Sequence, residues 1–154
     1  MVFGRGRKPV PAPSLEAYAV TVEQILAAIG IDPTTARRNV EGGFGWGFQR
    51  GSALIEVYIS IQQETGYFQV LSPIMHLPSS GLLPLYRRLL ELNLQITNAA
   101  IGVHLDVVYV FSERPLEGMD GAEANAIINL ISGYADDLDD KLLAEFGGRL
   151  YSRI

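Results

Sequence analysis

Residues 82–98 read LLPLYRRLLELNLQITN, and the spacing of their leucines predicts a helix around which the other elements pack. Apolar residues recur every three or four positions along one side of this helix, at Leu82, Leu85, Leu89, Leu92 and Ile96. A second stripe lies on another side, at Leu83, Leu90, Leu94 and Thr97. A helix that is apolar over much of its circumference has to be buried on two sides, either inside its own domain or against a second copy of the chain.

The predicted strands that flank this helix favour the second copy. From residue 44 the apolar period changes to two, as in Ile55, Val57 and Ile59, and residues 107–112 are apolar on both faces. These strands indicate one sheet, and one sheet covers only one side of the helix. We therefore expect a homodimer. Its predicted interface contains Leu83, Arg87, Leu90 and Leu94.

The patterns follow one another as helix, three strands, helix, two strands and helix. This order predicts an α+β fold with a single, mostly antiparallel five-stranded sheet. Ser14 is placed to cap the first helix, a polar connection over residues 31–42 follows it, and Asp120 with Glu123 forms a capping-box pattern for the last helix. We expect one domain over residues 14–150. Residues 1–13, basic and with prolines at alternate positions, are expected to form an extended tail.

The composition narrows the classes of function. A net charge of −5 disfavours nucleic acid as a partner, because a phosphate backbone requires a basic surface. No apolar run reaches the roughly 18 residues of a membrane span, and the first residues lack the apolar core of a signal peptide. The absence of cysteine excludes disulfides and thiolate metal sites. We expect a cytoplasmic protein that binds neither nucleic acid nor membrane.

The sharpest local motif is DDLDD at residues 136–140, which satisfies the DDxxD pattern that gathers magnesium for diphosphate chemistry. On a helix Asp136 and Asp140 share a face, and a cation can bridge them. Enzymes with this motif are larger and wholly helical, whereas these residues follow five predicted strands. We interpret the motif as a solvated acidic face. A small-ligand or divalent-metal-dependent function of this segment is the alternative.

Residues 43–48 alternate glycine with the large rings of Phe44, Trp46 and Phe48, and neither GxGxxG nor a Walker motif fits them. A strand with this sequence carries rings on one face and bare backbone on the other. The rings either enter the core, which we favour, or form a strip that binds a partner.

No catalytic constellation is recognisable. The two histidines, His76 and His104, lie near predicted strand ends, with no serine or carboxylate pattern that would define a triad or a metal site. We therefore expect no enzymatic activity and no cofactor.

Three polar residues of the central helix have open roles. Arg87 and Arg88 pair either with a partner's carboxylate or, as we favour, with the acidic last helix of the same chain. Asn93 interrupts the leucine pattern, and its amide either bonds a strand end or fixes the register of a helix pair.

Four segments resemble the YbjN-type proteins, a group similar in fold to the type III secretion chaperones. They are YFQVLSP at residues 67–73, LYRRLLELN at 85–93, ERPLEG at 113–118 and ADDLDDKL at 135–142. Their amino-acid sequences are similar to those of members common in cyanobacteria, and the resemblance extends over residues from about 15 to 148.

This resemblance implies the same order of elements, a small homodimer and a chaperone-like role in binding proteins. Secretion chaperones pair through the middle helix and the neighbouring strand, and they hold an extended, unfolded stretch of a client protein on their surface. The basic tail and the glycine-aromatic strand depart from the chaperone pattern. The resemblance implies a protein client without specifying which protein it is.

Overall fold

The computed structural model describes residues 14–151, which form four helices and seven strands. The predicted tail, residues 1–13, lies outside the described residues. In chain order the elements are α1 (Leu15–Ala28), α2 (Pro33–Ala36), β1 (Arg37–Arg38), β2 (Gly43–Arg50), β3 (Ala53–Gln62), β4 (Thr65–His76), α3 (Leu82–Asn93), β5 (Ala100–His104), β6 (Val107–Pro115), α4 (Gly121–Phe146) and β7 (Arg149–Leu150).

The seven strands belong to one antiparallel sheet in the order β1-β2-β3-β4-β6-β5, with β7 paired to the end of β4. Helix α4 lies against β3, β4 and β6, and α1 packs beside α4 and against β3. The helices thus cover one face of the sheet, which is the core face. The α+β class and the antiparallel sheet that the sequence predicts are confirmed.

The core face follows the alternation of apolar residues along the strands. Ile55, Val57 and Ile59 of β3 are fully buried, and Phe68 and Val70 of β4 are buried opposite them. Burying one such side chain contributes about 1.5–3 kcal/mol to the free energy of folding. These two strands therefore form the centre of the core.

Two tight turns join neighbouring strands at opposite ends of the sheet. Gln63 (φ 47°) and Glu64 (φ 69°) connect β3 to β4, whereas Leu105 (φ 47°) and Asp106 (φ 60°) connect β5 to β6. Two successive residues with positive φ produce a turn whose twist matches that of the flanking strands.

Side-chain caps fix the start of the first and last helices. Ser14 Oγ accepts a hydrogen bond from the Ala17 amide (3.2 Å), and Asp120 Oδ1 accepts one from the Glu123 amide (2.8 Å). Both caps agree with the predicted helix starts. None of the helices within residues 14–151 is both long and apolar enough to cross a membrane.

The predicted count of five strands and the predicted order of elements are wrong. The structure adds α2 and β1 where the sequence indicates a polar connection, and adds β7 after the last helix. Both extra strands have two residues and α2 has four, which is too short for an apolar period to show. Asp32 caps α2, because its side chain accepts a hydrogen bond from the Thr34 amide (3.0 Å). Pro33 occupies the first helical position, where proline is favoured. This cap was the available signal for α2.

The predicted central helix over residues 82–98 ends earlier than expected, at Asn93. The Asn93 side chain accepts a hydrogen bond from the Ile101 amide (2.7 Å) and donates one to the Ile101 carbonyl (3.2 Å). The chain has to turn back between these two residues to form this pair, so the helix cannot continue to residue 98. Asn93 thus bonds a strand end, the first of its two predicted roles.

Candidate protein-binding surfaces

Helix α3 is held at both ends. Gly81 precedes it with a φ of +72°, a conformation that glycine adopts without strain, and Pro84 lies in the first turn, where no amide hydrogen is needed. At the other end Asn93 holds the helix to β5 through Ile101. The orientation of the leucines between these ends is therefore set by the fold.

One side of α3 is buried and another is not. The buried side consists of Leu85, Leu89 and Leu92. On the uncovered side Leu83 is 80% exposed, Leu90 69% and Leu94 89%, and we call these three residues the leucine face. Single exposed leucines are common, but several on one side of a helix form a patch that marks an interaction site. Among residues 14–151 no element encloses these three leucines, which one of the two predicted alternatives required.

Both arginines of α3 form ion pairs within the chain. Arg87, beside the leucine face, has its Nε 2.9 Å from Glu91 Oε1, four residues further along the helix. Arg88 approaches Glu145 of α4 at 3.8 Å. Exposed pairs of this kind contribute at most about 1 kcal/mol. Arg88 thus pairs with the acidic last helix, as the sequence favours, whereas Arg87 pairs within its own helix.

The β5–β6 hairpin adds two exposed apolar residues that the sequence analysis missed. Leu105 is 83% exposed and Val103 is 41% exposed, and we call this pair the hairpin tip. Asn93 ties Ile101 to the end of α3, so the start of β5, which leads into this hairpin, lies beside the end of the helix. Leu105 has a positive φ in the β5–β6 turn, where Asn, Asp or Gly is usual. An apolar residue at such a turn position is the feature that marks the hairpin tip.

Strand β2 turns its predicted partner-binding rings towards the core. Trp46 is fully buried and Phe48 is nearly so, whereas Phe44 is half-buried and stacks on Trp46 with ring centroids 6.4 Å apart. The glycines on the other face admit close neighbours, since a Cβ on Gly45 would lie 2.9 Å from the Tyr58 ring. These positions support the core interpretation, because the rings of Trp46 and Phe48 present no surface to a partner.

Arg37 closes the outer edge of this aromatic cluster. Its guanidinium carbon lies 4.5 Å from the Phe44 ring centroid and 5.3 Å from that of Trp46. Glu23 of α1 pairs with Arg37 at 2.5 Å and accepts a hydrogen bond from the Trp46 indole nitrogen at 3.3 Å. The cluster thus joins α1, β1 and β2 through cation–π and charged contacts.

A wide groove lies beside β6. Strand β5 pairs with β6 only as far as Phe111, so within the described part of the chain residues 112–115 have no strand on that side. The groove has a volume of about 660 Å³, and Ile127 and Leu130 of α4 are its large apolar side chains together with Phe111. We call it the β6 groove. An open strand edge beside an apolar groove is suited to accepting an extended peptide as a further strand.

The charged residues along the β6 groove already have partners. Arg114 pairs with Glu123 and donates to the carbonyls of Pro115 (2.7 Å) and Glu117 (2.8 Å). Glu113 accepts a hydrogen bond from the Gln69 side chain at 3.1 Å. Arg114 and Glu123 neutralise each other, and Glu113 is hydrogen-bonded to a neutral amide, so the groove suits an apolar or neutral segment better than a strongly acidic one.

A second apolar depression lies on the sheet face opposite the helices. Its volume is about 380 Å³, and Leu71, Tyr109 and Phe111 line it with Val103 at one side. Burial raises the pKa of the Tyr109 hydroxyl, and Tyr151 and then Glu56 act in the same direction. Exposed apolar surface thus continues from the hairpin tip onto this face of the sheet.

The acidic motif at residues 136–140 holds the turn between β2 and β3. The Ser52 hydroxyl lies 2.9 Å from Asp136 Oδ1 and 2.9 Å from Asp139 Oδ2. Asp139 is buried, so the predicted solvated face does not include it. Within residues 14–151, no three Asp, Glu or His side chains are arranged to hold a metal ion. The contact that the structure assigns to these carboxylates is with Ser52.

The two histidines lie at the same level of the sheet, on two different strands with β6 between them. His76 of β4 and His104 of β5 are paired with Val107 from opposite sides. They are two strand spacings apart, about 10 Å, which is too far for the rings to share a metal ion. His76 instead stacks on Tyr151 with ring centroids 5.4 Å apart.

The arrangement of helices, sheet and uncovered α3 matches a known protein family. The profile of the type III secretion (YopN, CesT) and YbjN peptide-binding chaperones, TY-Chap1, matches residues 19–153. The chain belongs to this family. The resemblance to YbjN-type proteins and secretion chaperones is thereby confirmed, and the sequence has no match among curated proteins.

Solved structures share the fold of this TY-Chap1 member. A chain of the ExsC–ExsE complex superposes with a TM-score of 0.63 at 9% identity, over 85% of this chain and 97% of that one. A chain of the HopA1–SchA chaperone–effector complex superposes with a TM-score of 0.60 at 9% identity, over 84% of this chain and 99% of that one. YbjN from E. coli, described as a candidate transcription regulator, superposes with a TM-score of 0.54 at 14% identity, over 91% of this chain and 97% of that one. At these identities the similarity establishes the fold alone.

Proposed function

We propose that this protein is a non-enzymatic, homodimeric, chaperone-like module that binds an extended segment of another protein in the cytoplasm. The observation that carries the proposal is the leucine face, which the chain leaves uncovered. The family description, peptide-binding chaperone, supports a protein client. The HopA1–SchA structure, a chaperone–effector complex with the same fold, supports it as well.

A comparison of free energies favours a dimer that uses the hairpin tip together with the leucine face. In a twofold pair the two copies bury the six leucines of their two leucine faces, which contribute roughly 9–18 kcal/mol at about 1.5–3 kcal/mol each. Association costs about 4–15 kcal/mol. The two ranges overlap, so burial of the leucine face alone does not ensure a stable dimer. Val103 and Leu105 of both copies add the surplus that a stable dimer needs.

The β6 groove is where we place the client. A strand added along residues 112–115 forms backbone hydrogen bonds with β6, and alternate side chains enter the apolar groove beside Ile127 and Leu130. Backbone hydrogen bonds do not depend on the client's sequence. The compensated charges of the groove favour apolar or neutral clients, so selectivity comes from the side chains that fit the groove.

Hydrogen exchange with a permanently unfolded model protein as the client tests this site. We expect added client to slow the exchange of those amides in residues 112–114 that point away from β4, because only these gain hydrogen-bond partners from the new strand. The variant Ala126→Glu, which puts a charge at an exposed helix position in the groove, is expected to remove this protection. Ala144→Glu is the matched control, since it makes the same change at an exposed position of α4 outside the groove.

Two results would contradict the placement of the client. One is binding of the client with no change in exchange along β6. The other is equal loss of binding in Ala126→Glu and Ala144→Glu, which would indicate a general effect of added negative charge.

A further inference from the structure

A smaller groove opens where α1 begins. It has a volume of about 310 Å³ and is lined by Leu15 and Tyr18 of α1, by the β3–β4 turn and by Leu116. We call it the α1 groove. Ile61 lies in it and continues the core-face stripe of β3, yet it is 57% exposed whereas Ile59, two residues earlier, is fully buried.

Ile61 is uncovered because α1 starts too late in the sequence to reach over it. The core face of the sheet extends past the first turn of α1, and the part of the chain that adjoins this place is the segment before Leu15. That segment contains Val10 and prolines at positions 9, 11 and 13. In a polyproline conformation of about 3.1 Å per residue, Val10 is within roughly 16 Å of Leu15, which itself lines the groove.

The charges of the groove and of the segment are complementary. Glu64 and Glu117 line the α1 groove, and neither forms an ion pair with another of residues 14–151. The segment 1–13 contains Arg5, Arg7 and Lys8 and no acidic residue. The β6 groove differs, because its acidic residues are already paired.

We propose that residues 5–13 dock in the α1 groove of the same chain. Val10 and the prolines cover Ile61 and Tyr18, and the basic side chains face Glu64 and Glu117. Prolines pack well on an aromatic ring and lose little conformational entropy on docking. The family profile begins at residue 19, so the docking segment lies outside the matched region. The proposal goes beyond client binding and does not rest on it.

Disulfide trapping in the full chain tests the proposal, because the natural sequence contains no cysteine. In the double variant Val10→Cys with Thr65→Cys, we expect oxidation to form an intramolecular disulfide at least about tenfold faster than in the control pair Val10→Cys with His104→Cys. His104 lies at the far end of the sheet, eight residues along β6 or about 27 Å away. Rates are read by mass spectrometry of the non-reduced protein.

Charge reversal then tests the electrostatic part. Adding Arg5→Glu, Arg7→Glu and Lys8→Glu is expected to slow trapping at position 65 about fivefold, and Glu64→Lys with Glu117→Lys is expected to restore it. Equal rates for the two cysteine pairs would overturn the docking. Disulfides that form only between two copies would overturn docking in the same chain. A rate unaffected by charge reversal would overturn the role of Glu64 and Glu117.

Discussion

Two sides of helix α3 are built from the same residue and have opposite environments. Leu85, Leu89 and Leu92 lie in the core, whereas the leucine face on the other side is exposed to solvent. The residues do not differ in helix propensity or hydropathy, so the difference comes only from what lies beside them. The comparison shows that an apolar period identifies which residues need to be buried. It does not identify whether the same chain or another molecule covers them.

The largest expected effect is a difference in the free energy of unfolding between substitutions on the two sides of α3. Leu85→Ala removes fully buried methyl groups and is expected to lower the free energy of unfolding by about 3 kcal/mol. Leu83→Ala makes the same change on the leucine face and is expected to cost less than about 0.5 kcal/mol in the monomer. Urea denaturation at low protein concentration measures both. Equal losses in the two variants would show that the leucine face is not free in the single chain.

A charge in the middle of the leucine face is expected to act on assembly. Leu90→Glu is expected to raise the dimer dissociation constant about a hundredfold, because the charge would be buried without a partner. Dilution calorimetry measures this constant, and circular dichroism checks that the fold is kept. Gln95→Glu, at an exposed position just past the helix, is the control for added charge. An unchanged constant in Leu90→Glu would remove Leu90 from the interface.

The third expected effect concerns the link that holds α3 beside β5. Asn93→Ala leaves the amide and carbonyl of Ile101 without their hydrogen bonds and is expected to cost about 1–3 kcal/mol of stability. Gln95→Ala is the control, since its side chain is exposed. Thermal unfolding compares the two variants. A melting temperature of Asn93→Ala equal to that of the control would mean that the link does not stabilise the fold.

The smallest expected effect is at the edge of the leucine face. Arg87→Ala removes an exposed ion pair with Glu91 and is expected to change stability by less than about 0.5 kcal/mol. Any difference from the wild type is expected to disappear in high salt, which screens such pairs. Denaturation at low and high salt measures this. A loss above 1 kcal/mol that persists in salt would assign Arg87 a packing role.

Much of this fold was predictable from periodicity. The α+β class and the buried stripe of Ile55, Val57 and Ile59 follow from residue spacing. The missed elements are short, because α2, β1 and β7 have two to four residues each and carry no measurable period. The end of α3 was missed because the pair between Asn93 and Ile101 joins residues eight apart, and a helical pattern does not show such a contact.

The candidate surfaces were predictable only in part. Exposure of Leu83, Leu90 and Leu94 follows from the second stripe of α3, since one sheet covers one side of a helix. The burial of Trp46 depends on α1 and Arg37 closing over β2, which involves residues distant in sequence. The β6 groove arises because β5 is shorter than β6, so strand lengths and not residue types create it.

The central claim is that a second copy of the chain covers the leucine face. Sedimentation equilibrium of the wild-type protein over a series of concentrations tests it most directly, since a chain of 16.8 kDa gives a monomer and a dimer that are well resolved by mass. We predict a mass that rises to twice 16.8 kDa with increasing concentration. A mass that stays at 16.8 kDa throughout the series would contradict the account.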